Sequence, residues 1–239
     1  MIRFKSNSEV SPCLSVVVPV FNEGATIAHL LEQVLAQRPV QEVIVVDDAS
    51  RDNSWELLQR FARDERVKLV RHERNRGKGA ALHTGFAKAS APFVLVQDAD
   101  LEYDPGEYYL LLEPVLAGLA DVVFGSRFQG AGTHRVLYYW HSVGNRLLTT
   151  LSNMATDLNL TDMETCYKLF RRELLQKIRL QEDRFGFEPE IIAKVSRLNL
   201  RIYEVPISYH GRTYAEGKKI GWRDGLSALR CIFKYRFFS

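Results

Sequence analysis

The feature that most constrains this chain is a recurrence of short β-branched and aliphatic runs separated by helix-like stretches. The runs are SVVVPV (15–20), EVIVVDD (42–48), VKLVRH (67–72), FVLVQD (93–98) and DVVFGS (121–126). Continuous apolar runs of this length suit strands buried on both faces, hence a parallel sheet covered by helices. Between them, residues 26–37, 53–64, 77–89 and 106–118 carry helical spacing, as Trp55, Leu57, Leu58 and Phe61 illustrate. This βαβ alternation predicts an α/β fold with a doubly wound, open and mostly parallel sheet over residues 10–128.

After Phe128 the pattern changes. A glycine-bearing loop (129–135) leads into an apolar and aromatic helix over 136–158, and the remainder reads as a cap on the sheet. Residues 202–209 alternate as a strand does, and 209–220 form a basic, glycine-rich loop. No repeat or linker divides the chain, so one domain over 1–239 is expected: a sheet half at 10–128, a second half at 129–220 and an amphipathic helix at 221–239. The 239 residues, 46% of them hydrophobic, allow a sizeable core. A net charge of only +3 argues against a nucleic-acid partner. Cys13, Cys166 and Cys231 form no CxxC pair, which fits a reducing cytoplasm. The start lacks a signal peptide's apolar core, and no run approaches the roughly 18 to 20 apolar residues of a spanning helix.

In an open parallel sheet, ligands bind beyond the carboxyl ends of the strands. Three strands end there in polar clusters: Pro19-Val-Phe-Asn-Glu23, Asp47-Asp48-Ala-Ser50 and Asp98-Ala-Asp100. A lone Asp-Asp pair is equally a solvated turn or a cap, with Asp52 or Asn53 able to cap the next helix. Asp98 and Asp100 raise a sharper problem, because two carboxylates about 5 Å apart repel by roughly 3 kcal/mol at an effective dielectric near 20. A hard divalent cation would offset that. Alternation along an extended chain would bring Glu102 to the same side. Asp104, before Pro105, is expected to cap a helix. The turn RNRGKGAA (74–81) is basic but is not a Walker A loop, since the glycine spacing fails. Its place at the same sheet edge puts Lys78 near a nucleotide or leaves it in a solvated charge run.

These segments, with Asn75-Arg-Gly-Lys-Gly79, Asp98-Ala-Asp-Leu-Glu102 and Gly125-Ser-Arg-Phe128 in register, resemble the inverting family 2 glycosyltransferases, in the branch of dolichyl-phosphate mannose and glucose synthases. The resemblance runs over about residues 13 to 225. It implies a GT-A fold and transfer of a hexose from a nucleotide sugar such as UDP-glucose or GDP-mannose to a polyprenyl phosphate, with Mg2+ or Mn2+. It also implies that Pro19, Phe21, Glu23 and Asp48 line the nucleotide pocket with Lys78 nearby. Asp98, Asp100 and Glu102 would hold the metal, although many relatives have Gln at the last position. Arg127 and Arg212 would face phosphate, with Lys218 and Lys219 sharing a role on the loop after Arg212.

A phosphate acceptor, largely dianionic at neutral pH, needs no general base. A hydroxyl acceptor does, and Asp162 or Glu164 occupies the place of the catalytic Asp in such relatives. Transfer to a hydroxyl, and nucleotide-sugar binding without catalysis, are the alternatives. On the lipid side, Trp222, Leu226, Leu229, Phe233 and Phe237 form one helical stripe with Arg223, Arg230, Lys234 and Arg236 around it, which suits either a membrane interface or packing on the domain. The aromatic segment Arg135–His141 is a second candidate surface. Together these features imply a cytoplasmic protein attached peripherally to the membrane.

Overall fold

A computed structural model describes residues 10–130, 135–136, 138–213, 216 and 222–238, the side chains of Trp222 and Arg223 excepted. Strands β1 (Leu14–Val20), β2 (Val40–Asp47), β3 (Val67–Arg71), β4 (Phe93–Val96), β5 (Val122–Ser126), β6 (Lys168–Arg171) and β7 (Ile202–Pro206) form one sheet in the order β3-β2-β1-β4-β6-β5-β7. β1 pairs in parallel with both β2 and β4, and β5 with β7. Only β6 runs antiparallel, between β4 and β5.

The first three connections are the expected helices, α1 (Ile27–Leu35), α2 (Ser54–Gln59) and α3 (Lys78–Lys88). In α1 the buried set Ile27, Leu30, Leu31 and Val34 follows the i, i+3, i+4, i+7 stripe of a helix lying on a sheet. α3 instead buries small residues, Gly79, Ala80, Ala81 and Gly85, and so comes close to β1. A single turn at Pro105–Glu107 opens α4 (Tyr108–Leu116), with Asp104 Oδ1 accepting from the Gly106 amide at 2.8 Å. This is the cap that Asp-Pro-Gly specifies.

The second half departs from a simple cap. α5 (Tyr139–Thr156) ends at a left-handed Asp157, and the chain then enters the sheet as β6 before α6 (Arg172–Leu175), α7 (Phe187–Val195) and α8 (Trp222–Phe237). The expected cap thus contributes a strand. Its side chains Leu169 and Phe170 are fully buried in one hydrophobic cluster running from Leu14 to Ile232.

The chain winds from β1 outward through β2 and β3, then returns to β4 on the other side of β1. That reversal opens a crevice beyond the carboxyl ends of β1 and β4, the place where open sheets bind ligands.

The close approach of α3 to β1 yields a test of the packing. A Cβ at Gly85 would lie 2.2 Å from Val17 Cγ1. Alanine gains about 1 kcal/mol of helix propensity over glycine, but overpacking a fully buried strand costs typically 1–3 kcal/mol. Gly85→Ala is therefore expected to lower the urea midpoint, and an unchanged or raised midpoint would show that α3 has room to move.

Candidate active site

One side of the crevice is built by tying the end of β1 to the loop after β2. After Val20 the chain turns at a left-handed Asn22. Asn22 and Glu23 donate their amides to Ser50 Oγ at 3.0 Å and Ser54 Oγ at 2.9 Å, and Gly24 donates to Asp52 Oδ2 at 2.9 Å. Asp52 thus spans the turn and the start of α2, whose Ser54 amide it also accepts at 3.0 Å. Pro19 and Phe21 stand half-buried beside this turn.

Asp48 is buried and serves as the anchor of the basic turn. Its carboxylate accepts from the amides of Arg76 and Gly77, at 2.9 and 2.7 Å, and contacts His72 Nδ1 at 2.7 Å. Gly77 has φ +106° and is hemmed in by Asp183 O at 2.4 Å from any Cβ, so only glycine makes this turn. The turn delivers Lys78 to the acidic segment, where its ammonium lies 2.9 Å from Asp98 Oδ1 and 3.1 Å from Glu188 Oε1. Burial alone would depress this ammonium, but Asp98 and Glu188 hold its pKa well above the ordinary lysine value.

The acidic segment is a turn, not an extension of β4. The strand ends at Val96, and Leu101 adopts φ +61°. The strand-like alternation expected for residues 98, 100 and 102 is therefore absent. The turn instead directs Asp100 and Glu102 to Arg212 and leaves Asp98 to Lys78. Gln97 fixes its base: the side-chain amide donates to Asp98 O at 3.0 Å, while Oε1 accepts from the hydroxyls of Tyr108 and Tyr167, both at 2.8 Å.

Arg212 is the counter-charge. Its guanidinium lies 2.9 Å from Asp100, 3.3 Å from Glu102 and 3.2 Å from Glu23. Glu102 also accepts from the Arg212 amide at 2.9 Å and the Tyr209 hydroxyl at 2.6 Å, so both its oxygens hold the 209–212 segment. Glu107 anchors the same segment through the Ser208 amide at 2.9 Å. One cation does not balance three acids. Burial, then Asp98 and Glu102, push the Asp100 carboxyl up to about 7 against the pull of Arg212.

That charge excess fits a hard divalent ion. Asp98 and Asp100 supply oxygen donors of the type such ions take, at the mouth of the crevice. Among the described residues no three His, Cys, Asp or Glu side chains converge as a preformed metal site. Glu102 would join Asp98 and Asp100 only by releasing Tyr209 and Arg212.

On the other side of Tyr209, Arg127 follows β5 and makes a paired contact with Asp162, Nε to Oδ2 and Nη2 to Oδ1 both at 2.7 Å. Its guanidinium lies 5.0 Å above the Tyr209 ring. Against the effect of burial, Arg127 holds the Asp162 carboxyl below the usual range. Glu164 differs: burial and the nearby Glu188 push its carboxyl up to about 7.

The crevice therefore gathers Pro19, Phe21, Glu23, Asp48, Lys78, Asp98, Asp100, Glu102 and Arg212 at one sheet edge, with Arg127 alongside through Tyr209. Lys218 and Lys219 lie outside the described residues. Sequence reasoning missed Gln97, His72 and Glu188. Gln97 and His72 sit at the ends of strand runs already singled out, but Glu188 carries no local signal.

Residues 15–179 match the family described as Glycosyl transferase family 2. The low-salt glycan biosynthesis hexosyltransferase of Haloferax volcanii is 30% identical over 229 residues, 93% of this chain and 54% of that protein. The undecaprenyl-phosphate 4-deoxy-4-formamido-L-arabinose transferase of Aeromonas hydrophila is 31% identical over 211 residues, 86% of this chain and 62% of that protein. The chain thus spans less than two thirds of the length of each. Among solved structures, glucosyl-3-phosphoglycerate synthase from Mycobacterium tuberculosis, in complex with Mn2+, uridine diphosphate and glucosyl-3-phosphoglycerate, superposes with a TM-score of 0.73 at 21% identity, covering 96% of this chain and 81% of that one. At that identity the likeness shows the fold alone, the GT-A arrangement of a mostly parallel sheet between helices.

The raised Asp100 carboxyl has a consequence for stability. Between the ordinary carboxylate range and about 7, the folded protein keeps a proton that the unfolded chain releases. Stability falls as pH rises through that window, by up to about 1.4 kcal/mol per unit for this group. Without added metal, Asp100→Asn is expected to flatten the decline in urea stability between pH 5 and 7.5. An unchanged slope would show that Asp100 ionises freely.

Proposed function

The chain belongs to glycosyl transferase family 2, and from that premise we propose that it transfers a hexose, with inversion, from a nucleotide sugar to a polyprenyl phosphate. The observation that carries this reading is the engagement of Asp162. The carboxylate best placed by sequence to act as a base is locked on Arg127, and a phosphate acceptor, already dianionic near pH 7, needs none. The Aeromonas relative is by its name an undecaprenyl-phosphate sugar transferase.

In this reading Pro19, Phe21, Glu23 and Asp48 line the nucleotide pocket, with Lys78 beside the leaving group. Asp98 and Asp100 would hold Mg2+ or Mn2+, which supplies Lewis-acid stabilisation of the departing diphosphate. Arg212, now spread over three carboxylates, has a guanidinium fork that suits phosphate oxygens. Arg127, preorganised by Asp162 and Tyr209, offers positive charge to the phosphates without having to be ordered in the transition state. Lys218, six residues after Arg212 in the sequence and outside the described residues, is assigned to the donor phosphates.

A second reading, transfer to a hydroxyl, is favoured by Glu164, whose carboxyl near 7 is suited to proton abstraction at neutral pH.

For the lipid, two adjacent helices turn apolar side chains away from the sheet. On α5, Trp140, Leu147 and Met154, seven residues apart, are 77%, 55% and 75% exposed. On α8, Leu226, Phe233 and Phe237 are exposed, while Ala228, Cys231, Ile232 and Tyr235 pack inward. Arg236 ties the helices together through Ala155 O at 3.0 Å. No helix among the described residues is long and apolar enough to cross a membrane. We assign attachment to the exposed apolar side chains of these two helices, peripherally and on the cytoplasmic side of the membrane.

Purified protein given labelled UDP-glucose or GDP-mannose, Mn2+ and undecaprenyl phosphate is expected to yield labelled lipid, and Asp98→Asn with Asp100→Asn to lose at least about 100-fold. Glu164→Gln separates the readings: transfer to phosphate survives within a few-fold, whereas transfer to a hydroxyl collapses. No labelled lipid with any hexose donor would refute the proposal. Trp140→Glu with Phe233→Glu is expected to reduce vesicle binding about tenfold at unchanged unfolding midpoint, as exposed positions allow; undiminished binding would remove this face from the account.

A further inference from the structure

Beyond residue 179, where the family match ends, α7 brings a carboxylate into the donor site. Glu188, in the first turn of α7, is 4% exposed, and its Oε1 lies 3.1 Å from the Lys78 ammonium. Its other oxygen is buried without a hydrogen-bond partner. A buried carboxylate so placed is costly unless its charge is paired, and Lys78 is the cation it meets.

The surroundings show what it is used for. The segment leading into α7 is braced by Glu190, which accepts from the amides of Gln181 and Glu182, both at 2.7 Å. That segment closes on the basic turn, with the Ala80 amide donating to Asp183 O at 3.0 Å. Cβ atoms at Gly77 and Gly79 would meet Asp183 O and Glu182 O at 2.4 and 2.0 Å, so the two strips of backbone are in tight contact. The turn is held from one side by Asp48 through the Arg76 and Gly77 amides and from the other by α7. Lys78 projects from the middle and is shared between Asp98, on the sheet side, and Glu188, on the helix side.

We propose that Glu188 is a positioning residue of the donor site: it draws the Lys78 ammonium partly off Asp98, leaving that carboxylate available to a divalent cation. This rests on the assignment of Asp98 and Asp100 as metal ligands. Without Glu188, Lys78 has Asp98 as its sole carboxylate partner in these contacts, and the ammonium competes with the metal for the same oxygens. On Asp98, Glu188 acts through Lys78, so its effect on metal binding vanishes when Lys78 is gone.

The free Mn2+ signal in electron paramagnetic resonance, read with saturating UDP and separately with GDP, gives the test. Glu188→Gln is expected to weaken Mn2+ binding about tenfold, and Glu188→Asp about threefold. In a Lys78→Ala background, adding Glu188→Gln is expected to change affinity by less than twofold, the non-additivity that coupling requires. An equal loss in both backgrounds, or none in the native background, would overturn the proposal while leaving the functional reading intact. Should Glu188→Gln fail to fold, native affinity in Glu188→Asp would overturn it equally. A wild-type protein that binds Mn2+ with neither nucleotide would refute the donor-site reading itself, and this inference with it.

Discussion

The crevice depends on a single ion cluster, the guanidinium of Arg212 spread over Glu23, Asp100 and Glu102. Those acids come from the ends of β1 and β4, and Arg212 from the loop after β7, 189 residues along the chain from Glu23. The cluster therefore links both halves of the molecule through the site itself. A partly buried set of this kind is weak evidence for stability, because desolvation offsets much of the Coulombic gain. Its residual repulsion is visible in the raised Asp100 carboxyl. In the proposed function a dication and a diphosphate would relieve it, Arg212 passing to phosphate and the carboxylates to metal.

The framework that makes this possible is rigid. Gln97, satisfied by two tyrosine hydroxyls, fixes where the acidic turn begins. Asp48 and the glycines at 77 and 79 fix the basic turn. The site thus combines anchored backbone with a cluster of ionic side chains at its mouth.

Strands β1, β2, β4 and β5 were legible because each is buried on both faces and reads as a nearly unbroken apolar run, Val43 to Val46 being the plainest; β3 and β7, partly exposed, read through alternation instead. The cap at Asp104 was legible because Asp-Pro-Gly is a local instruction. β6 was not: four residues opening with a buried lysine carry no strand signal, and they pair only because β4 and β5 stand far enough apart to admit them. The turn at Leu101 was misread as extended because a left-handed leucine is imposed by its surroundings and not by its own preference. At the site, the sheet-edge carboxylates and Arg212 could be named from their motifs. The pairing of Arg127 with Asp162, and of Lys78 with Glu188, could not, since each joins elements that are distant in sequence.

The most direct measurement of this account is a crystal structure with Mn2+ and a nucleoside diphosphate bound. The expected result is Mn2+ on Asp98 and Asp100, with the Arg212 guanidinium moved off Asp100 and onto a phosphate. Arg212 still on Asp100, with the nucleotide bound elsewhere or the metal on other residues, would contradict it.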